Sequence, residues 1–331
     1  MKVSVIGAGS WGTALSQVTA TNGHDVSLWA RRPEVADGIN QRHRNPEYLK
    51  DADLLPGIVA TTSIAEAVDG ANAIISVTPS KYVRSAAESL VGIVPDKTPI
   101  VICSKGVEVG TGLVPTEVFE ELLGNEARLA ALSGPNHAEE IVKGVAAGTV
   151  VASSSPSTAA FFQNLLSNEE FRVYTSDDVL GVELCATFKN VIAIAVGVAY
   201  GLGYGDNTAA MLMTRGQAEM SRLVAAAGGN PLTCMGLAGT GDLIATCMSR
   251  HSRNRAFGEA LAAGETVEQY ESRLHMVAEG AQACLTLKAL SDRYEVELPI
   301  TDVVRAMVWE HIDPKQVAEL LASRSLKPEF Y

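Results

Sequence analysis

The sequence predicts an α/β chain: a mostly parallel sheet with helices on both faces in the first half, and helices alone in the second. Three observations carry this expectation. Short apolar runs alternate with helical patterns up to about residue 177, the signature of strands joined by crossover helices. The first run feeds a glycine-rich turn and then a helix. Beyond Asp177 strand-like runs disappear and helical periodicity dominates. The expected division is therefore residues 1–177, built on the sheet, and residues 178–331, all helical.

The chain opens with Lys2 to Gly12, KVSVIGAGSWG. Val3, Val5 and Ile6 read as a buried strand. Gly7, Gly9 and Gly12 follow at the spacing G-x-G-x-x-G, and Ser10 to Asn22 reads as a helix. In this order the spacing predicts a Rossmann-type dinucleotide-binding unit, where a bare glycine turn would not. The first glycine permits the tight turn, the second lets a pyrophosphate approach the backbone, and the third lets helix and strand lie close. The helix N-terminus then offers free N–H groups to phosphate oxygens.

Asp25 to Trp29 is the second strand. NAD-specific units place an acidic residue at the end of this strand for the ribose 2′-hydroxyl. Here the strand ends in Ala30-Arg31-Arg32-Pro33, and Asp25 lies at the wrong end. Arg31 or Arg32 suits a 2′-phosphate, so NADP(H) is expected to be accepted; the alternative is a pair of solvated surface charges.

Further strands are expected at Ala73–Val77, Ile100–Cys103, Leu129–Leu132 and Thr149–Ala152, the last followed by a Ser/Pro turn at Ser153–Ser157. Helical patterns at Ser63–Val68, Lys81–Leu90 and Thr116–Leu123 lie between them. Ligands of such sheets bind beyond the carboxyl ends of the strands. Lys105, Ser133, Gly134 and Asn136 all follow strands and are expected at that edge.

In the second half, Asp178–Tyr200 reads as one long apolar helix carrying Glu183, Lys189 and Asn190. A lysine in an apolar run needs a partner or a task unless it snorkels to the surface. Asn207–Ala227 is a second long helix, with Arg215 and Glu219 spaced for an i, i+4 ion pair. Gly236–Asp242, GLAGTGD, lacks the Lys-Ser/Thr of a phosphate loop and reads as a packing turn that positions Asp242. Arg250–Arg255, RHSRNR, is the densest basic cluster. Ser252 caps the following helix, and arginine at a helix N-terminus opposes the dipole unless an anion binds there. Helices near Glu279–Tyr294, Thr301–Glu310 and Asp313–Ala322 read as scaffold.

Composition narrows the function classes. The chain has 331 residues, 47% hydrophobic and 19% charged, with a net charge of −12. That balance disfavours nucleic acid and anionic membrane surfaces as partners. Five scattered cysteines without a C-x-x-C pair fit reduced thiols and a cytoplasmic location. The N-terminal apolar run is too short and glycine-rich for a signal peptide. Val191–Leu202 falls short of a membrane span and reads as a core helix. The six histidines show no i, i+4 pair, so no metal site is expected.

Taken together, VIGAGSWGTAL, CSKG, SGPNHAEE, KNVIAI, TRGQAEM, GLAGTGDLIATC, SRNRAFG and VAEG, in that order over nearly the whole chain, resemble the bacterial NAD(P)-dependent sn-glycerol-3-phosphate dehydrogenases. The resemblance implies reversible reduction of dihydroxyacetone phosphate to sn-glycerol 3-phosphate with NADP(H) or NAD(H), supplying phospholipid backbones. It implies Lys189 as the proton donor or acceptor. Lys105, Gly134, Asn136, Asp242, Ser252, Arg253 and Asn254 would contact substrate. Ser10, Trp11, Arg31, Lys105, Ala138, Arg253, Val277 and Glu279 would line the cofactor site, with Arg32 beside Arg31. Within SGPNHAEE the family often carries Thr and Phe where Asn136 and His137 stand. Family analogy also implies a homodimer. Two other readings stay open: a related hydroxy-acid dehydrogenase that holds a carboxylate at the basic cluster, and a non-catalytic NADP(H)-binding sensor.

Overall fold

The computed structural model describes residues 1–250, 252–274, 279–317 and 328–329. It divides into two compact units: Met1–Ala186 with Gly228–Asp242, and Thr187–Ala227 with Leu243–Tyr331.

The first unit holds an eight-stranded sheet in the order β3-β2-β1-β4-β5-β6-β7-β8. The strands are β1 (Lys2–Ile6), β2 (Asp25–Trp29), β3 (Ile58–Thr61), β4 (Ala73–Ser76), β5 (Ile100–Ile102), β6 (Leu129–Ser133), β7 (Ala147–Ala152) and β8 (Phe171–Ser176). Neighbouring strands are parallel except where β7 turns back against β6. The helices are α1 (Ser10–Thr21), α2 (Pro33–Arg42), α3 (Ile64–Val68), α4 (Val83–Glu88), α5 (Pro115–Leu123), α6 (Ala138–Ile141) and α7 (Pro156–Leu166). Alternation along the strands fills two cores. Val3, Val5, Ala73, Ile75 and Val101 face α1, α2 and α7. Ile6, Ile74, Ile100 and Ile102 face α3, α4 and α5. Burial on both faces explains why these strands read as continuous apolar runs.

The sequence reading omits β3, β8, α2, α6 and α7. In β3 and β8 alternate residues are exposed: Val59 is 59% and Tyr174 is 52% accessible. As outer strands of the sheet they lack the apolar run that marks the inner ones. At Ser153–Ser157 the expected turn is instead a helix start. Ser155 caps α7 by accepting from Thr158 N, with Pro156 at the first helical position.

The second unit is helical in its described residues: α8 (Val179–Gly201) from Thr187 onward, α9 (Asp206–Ala226), α10 (Asp242–Met248) from Leu243, α11 (Arg253–Ala262), α12 (Val267–Leu274), α13 (Glu279–Tyr294) and α14 (Pro299–Trp309). Of these, α12 is absent from the sequence reading. Residues 314–317 of the expected last helix are helical, and 318–322 lie outside the described residues. Among the described residues one helix, α8, is long and apolar enough to cross a membrane, but 89% of its apolar window is buried inside the protein, as befits a helix hydrophobic all round at a core. Backbones approach it closely. A Cβ at Gly258 would sit 2.2 Å from Ile194 O, and one at Gly280 would sit 2.6 Å from Asn190 O. These contacts explain two glycines inside helices. The expected Arg215–Glu219 ion pair is replaced by longer-range contacts. Glu219 accepts from Ile300 N (2.7 Å) and Thr301 N (3.4 Å), capping α14, while Arg215 donates to Glu329 O.

Candidate active site

In the sheet-containing unit, β1 is flanked by β2 on one side and β4 on the other. The chain order reverses there, which makes a ligand crevice at the carboxyl ends of β1 and β4. The glycine turn lies at that point. Gly7 has φ +120°, and a Cβ there would lie 2.5 Å from Val77 O, just after β4. A Cβ at Gly12 would lie 1.8 Å from Gly7 O, so α1 touches the turn backbone to backbone. A Cβ at Gly9 would meet nothing within 4 Å. The three glycines thus differ: two are held by the fold and one keeps a surface clear at the start of α1. These features fit a dinucleotide pyrophosphate. Ser10 begins α1, and beside it the Trp11 ring packs edge-on against Phe171, 6.3 Å between centroids. The Trp11 indole Nε1 is buried with no hydrogen-bond partner.

Arg31 and Arg32 follow β2 but face different neighbours. Arg32 forms an ion pair with Glu47. Arg31 lies beside Tyr82, whose phenol is held below its usual range first by Lys81 and then by Arg31. Only Arg31 of the two stands in a cationic cluster.

Beyond β5 and β6 the expected edge residues assemble. Lys105 Nζ donates to Asp242 Oδ2 at 2.6 Å and to Gly134 O at 3.4 Å. Ser133 Oγ reaches the same carboxylate at 3.4 Å. The Lys105 side chain is 16% and the Asp242 side chain 3% accessible, so this is a largely buried pair. Its setting is rigid. Gly106 has φ +153°, and a Cβ there would press on Ser80. A Cβ at Gly134 would lie 2.8 Å from Thr149 Cα. Asn136 donates Nδ2 to Gly148 O at 3.0 Å and leaves Oδ1 buried without a partner. The Gly236–Asp242 turn packs as the sequence implies: a Cβ at Gly239 would lie 2.1 Å from Cys234 O.

A second cluster lies in the helical unit. Lys189 is 7% accessible and does not snorkel; its Nζ donates to Thr246 Oγ1 at 2.9 Å. Gly280 N donates to Asn254 Oδ1 at 3.0 Å, and Asn254 Nδ2 donates to Asn190 Oδ1 at 2.9 Å. That chain ends on Asn190 Nδ2, a buried donor with no partner. Sequence reasoning missed Asn190 and Thr246 as functional candidates, although a second polar residue beside Lys189 in an apolar helix was a signal. Ser252 caps α11 by accepting from Arg255 N at 3.2 Å. Arg253 opens that helix and is exposed. Arg255 is engaged otherwise, donating to Met248 O at 2.8 Å and pairing with Glu259. The exposed Arg253 therefore remains for an anion at the helix start. Glu279 is the first residue of α13 and Ala138 the first of α6. Val277 lies outside the described residues.

A glycine turn at the reversal point of a parallel sheet, followed by a helical unit with a buried lysine, defines a dinucleotide-dependent dehydrogenase architecture. Two family models narrow it. NAD-dependent glycerol-3-phosphate dehydrogenase N-terminus matches residues 2–159, and NAD-dependent glycerol-3-phosphate dehydrogenase C-terminus matches residues 178–319. The chain belongs to this family of NAD(P)-dependent oxidoreductases. It is 45% identical to the glycerol-3-phosphate dehydrogenase [NAD(P)+] of Thermobifida fusca, over 100% of this chain and 99% of that protein. It is 44% identical to that of Corynebacterium urealyticum, over 99% of this chain and 100% of that protein. The crystal structure of glycerol-3-phosphate dehydrogenase from Coxiella burnetii superposes with a TM-score of 0.93 at 34% identity, over 98% of this chain and 99% of that one.

Proposed function

We propose that this chain reversibly transfers hydride between NAD(P)H and dihydroxyacetone phosphate to give sn-glycerol 3-phosphate, with Lys189 as general acid and base. The observation that carries the reading is the buried Lys189 ammonium, oriented by Thr246 Oγ1 at 2.9 Å. Its family and its relatives' printed names support the substrate and the cofactor.

When bound, the reduced nicotinamide supplies the hydride. The residues of the chain do the rest. Gly7, Gly9 and Gly12 admit the pyrophosphate, with Ser10, Trp11, Ala138 and Glu279 lining the cofactor. Arg31 meets a 2′-phosphate, with Arg32 weakened for that role by its pairing to Glu47. As charge grows on the substrate carbonyl oxygen, the Lys189 ammonium stabilises it and donates the proton. In the oxidative direction neutral Lys189 accepts that proton. Asn190 Nδ2, the unpartnered donor beside it, offers a second hydrogen bond to the same oxygen or its neighbour. Lys105 and Asp242 form a fixed charge pair that orients the substrate together with Gly134 and Asn136. Ser252, Arg253 and Asn254 grip the phosphate at the start of α11, where free N–H groups favour an anion. The grip carries no chemistry but restrains the reacting carbon. In this reading residues 1–177 chiefly serve the cofactor and residues 178–331 the substrate. The protein acts as a cytoplasmic homodimer supplying backbones for phospholipid synthesis.

The test is loss of NADPH absorbance with dihydroxyacetone phosphate, run beside NADH and beside unphosphorylated dihydroxyacetone. Phosphate-dependent turnover, abolished in Lys189→Ala, is the expected result. Equal turnover of both substrates would reject the phosphate grip, and near-normal turnover of Lys189→Ala would reject the proton role.

A further inference from the structure

Two thiols that this chemistry does not use lie in contact. Cys185 Sγ and Cys234 Sγ are 3.6 Å apart, and both residues are fully buried. Both belong to the sheet-containing unit but come from separate segments. Cys185 stands in the early turns of α8, and Cys234 in the single turn Pro231–Met235. We propose that this pair is an oxidation site: an oxidant of the hydroperoxide class converts it to a Cys185–Cys234 disulfide, which displaces the arm carrying Asp242 and lowers turnover. The effect on turnover rests on the function proposed above; the bond itself does not.

The chemistry balances with one hydrogen peroxide. One thiolate attacks a peroxide oxygen, the O–O bond breaks, and a sulfenic acid and one water result. The second sulfur attacks the sulfenic sulfur, the S–S bond forms, and the departing hydroxide leaves as water with the second thiol's proton. The two sulfurs are oxidised by two electrons and the peroxide is reduced to two waters.

A disulfide bond is about 2.05 Å long, so the sulfurs must close by roughly 1.5 Å. The α8 side has little freedom. Asp178 Oδ1 accepts from Gly181 N at 3.0 Å, and the buried Glu183 accepts from Thr116 N at 3.0 Å. The Cys234 turn is also tied to Asp178, which accepts from Asn230 N at 3.0 Å and from Thr233 Oγ1 at 2.5 Å. A single turn has less backbone pairing than α8, so the Cys234 side takes up the movement, and the motion reaches Asp242. Thr240 Oγ1 donates to Cys234 O at 2.9 Å, and Gly239 packs so tightly on the same carbonyl that a Cβ would lie 2.1 Å from it. Two residues after Thr240 comes Asp242, the partner of Lys105 at 2.6 Å.

A cavity of about 420 Å³ is lined in part by Val182, Thr233, Gly236, Leu237 and Ala238, chain neighbours of the two cysteines, which do not themselves line it. Val182 is one helical turn before Cys185, and Thr233 is next to Cys234. A small neutral oxidant can gather there. The mutual contact of the two thiols and their burial push the Cys185 thiol well above its ordinary value. Thiolate is scarce at neutral pH, so oxidation is slow and quickens as pH rises.

The test exposes the full chain to hydrogen peroxide near neutrality and at about pH 8.5, the ordinary thiol value. Samples are alkylated, mapped as unreduced peptides by mass spectrometry, and assayed with dihydroxyacetone phosphate and NADPH. The expected result is a linked Cys185–Cys234 peptide lacking two hydrogens, forming faster at the higher pH. Turnover falls about 10- to 100-fold as the link accumulates, in keeping with an ångström-scale displacement, and dithiothreitol reverses both. Cys185→Ala and Cys234→Ala, which open different small voids, keep basal turnover and resist inactivation. Absence of the linked peptide, or inactivation of both variants at the wild-type rate, would overturn the proposal. Full linkage with unchanged turnover would overturn its coupling to Asp242. If untreated enzyme fails to turn over, the functional reading falls while the peptide map still decides the oxidation site.

Discussion

Replacing Gly9 and Gly12 separately by alanine should divide cofactor binding from folding. At Gly12 the new methyl would lie 1.8 Å from Gly7 O, a backbone atom that cannot swing aside. Helix α1 must back off by about 1.5 Å to restore ordinary contact, an overpacking cost of about 3 kcal/mol or more. Gly9 is different. Its φ of −75° and ψ of −176° are open to any residue, and its Cβ would meet nothing within 4 Å. Alanine there restricts the unfolded chain, a gain of about 0.4–1 kcal/mol. It is also a poorer N-cap than glycine by a comparable amount, so the two effects nearly cancel. A methyl against the pyrophosphate is a steric penalty of about 1–3 kcal/mol, or roughly 5- to 150-fold weaker NADPH binding. The assay pairs thermal melting without cofactor with a fluorescence titration of NADPH. Gly9→Ala should melt within a degree or two of wild type yet bind poorly, whereas Gly12→Ala should lose both. Wild-type affinity in Gly9→Ala, or a melting loss equal to that of Gly12→Ala, would refute this division of roles.

Other outcomes follow from the same geometry. Burial pushes the Glu219 carboxyl up to about 7, against the opposing pull of the Ile300 and Thr301 N–H groups. A carboxyl raised in this way stabilises the fold fully below its ordinary value of about 4.5, and that stability is lost as pH rises through 7. Glu219→Gln should therefore gain on wild type as pH rises from 4.5 to about 7, by on the order of 3 kcal/mol in urea melts; a difference independent of pH would reject this. Lys105→Met removes the ammonium that donates to the buried Asp242 carboxylate, so stability should drop by on the order of 3 kcal/mol and turnover should fall. Lys105→Arg, which restores the charge, should recover stability more than turnover. Ser252→Ala removes the α11 cap, costing about 1 kcal/mol and raising KM for dihydroxyacetone phosphate more than it lowers kcat. Arg31→Ala should weaken NADPH more than NADH, while Arg32→Ala changes the ratio little; the reverse order would reassign the 2′-phosphate contact.

Much of this protein is legible in the sequence because the features are local. Apolar runs bounded by turns place β1, β2, β4, β5, β6 and β7. Glycine spacing places the dinucleotide turn, and Ser252 before an amphipathic run places the α11 cap. Each is set by backbone sterics and side-chain period over a few residues. The order of motifs along the chain was enough to indicate the family. What the sequence left open depends on contacts between distant segments. β3 and β8 escaped because a strand exposed on alternate residues carries too weak a pattern to stand apart from a loop. The i, i+4 spacing of Arg215 and Glu219 suggested a local pair, but Glu219 is drawn to the unsatisfied N–H groups of α14, 81 residues away. Arg31 and Arg32 look alike in sequence, and only the fold gives one of them to Glu47. Lys189 was balanced between snorkelling and burial until α10 brought Thr246 to it. Lys105 and Asp242, 137 residues apart, become a pair only when the packing turn at Gly239 fixes where α10 begins. A local pattern records what a segment prefers; which buried polar group meets which partner is decided when the whole chain must satisfy them together.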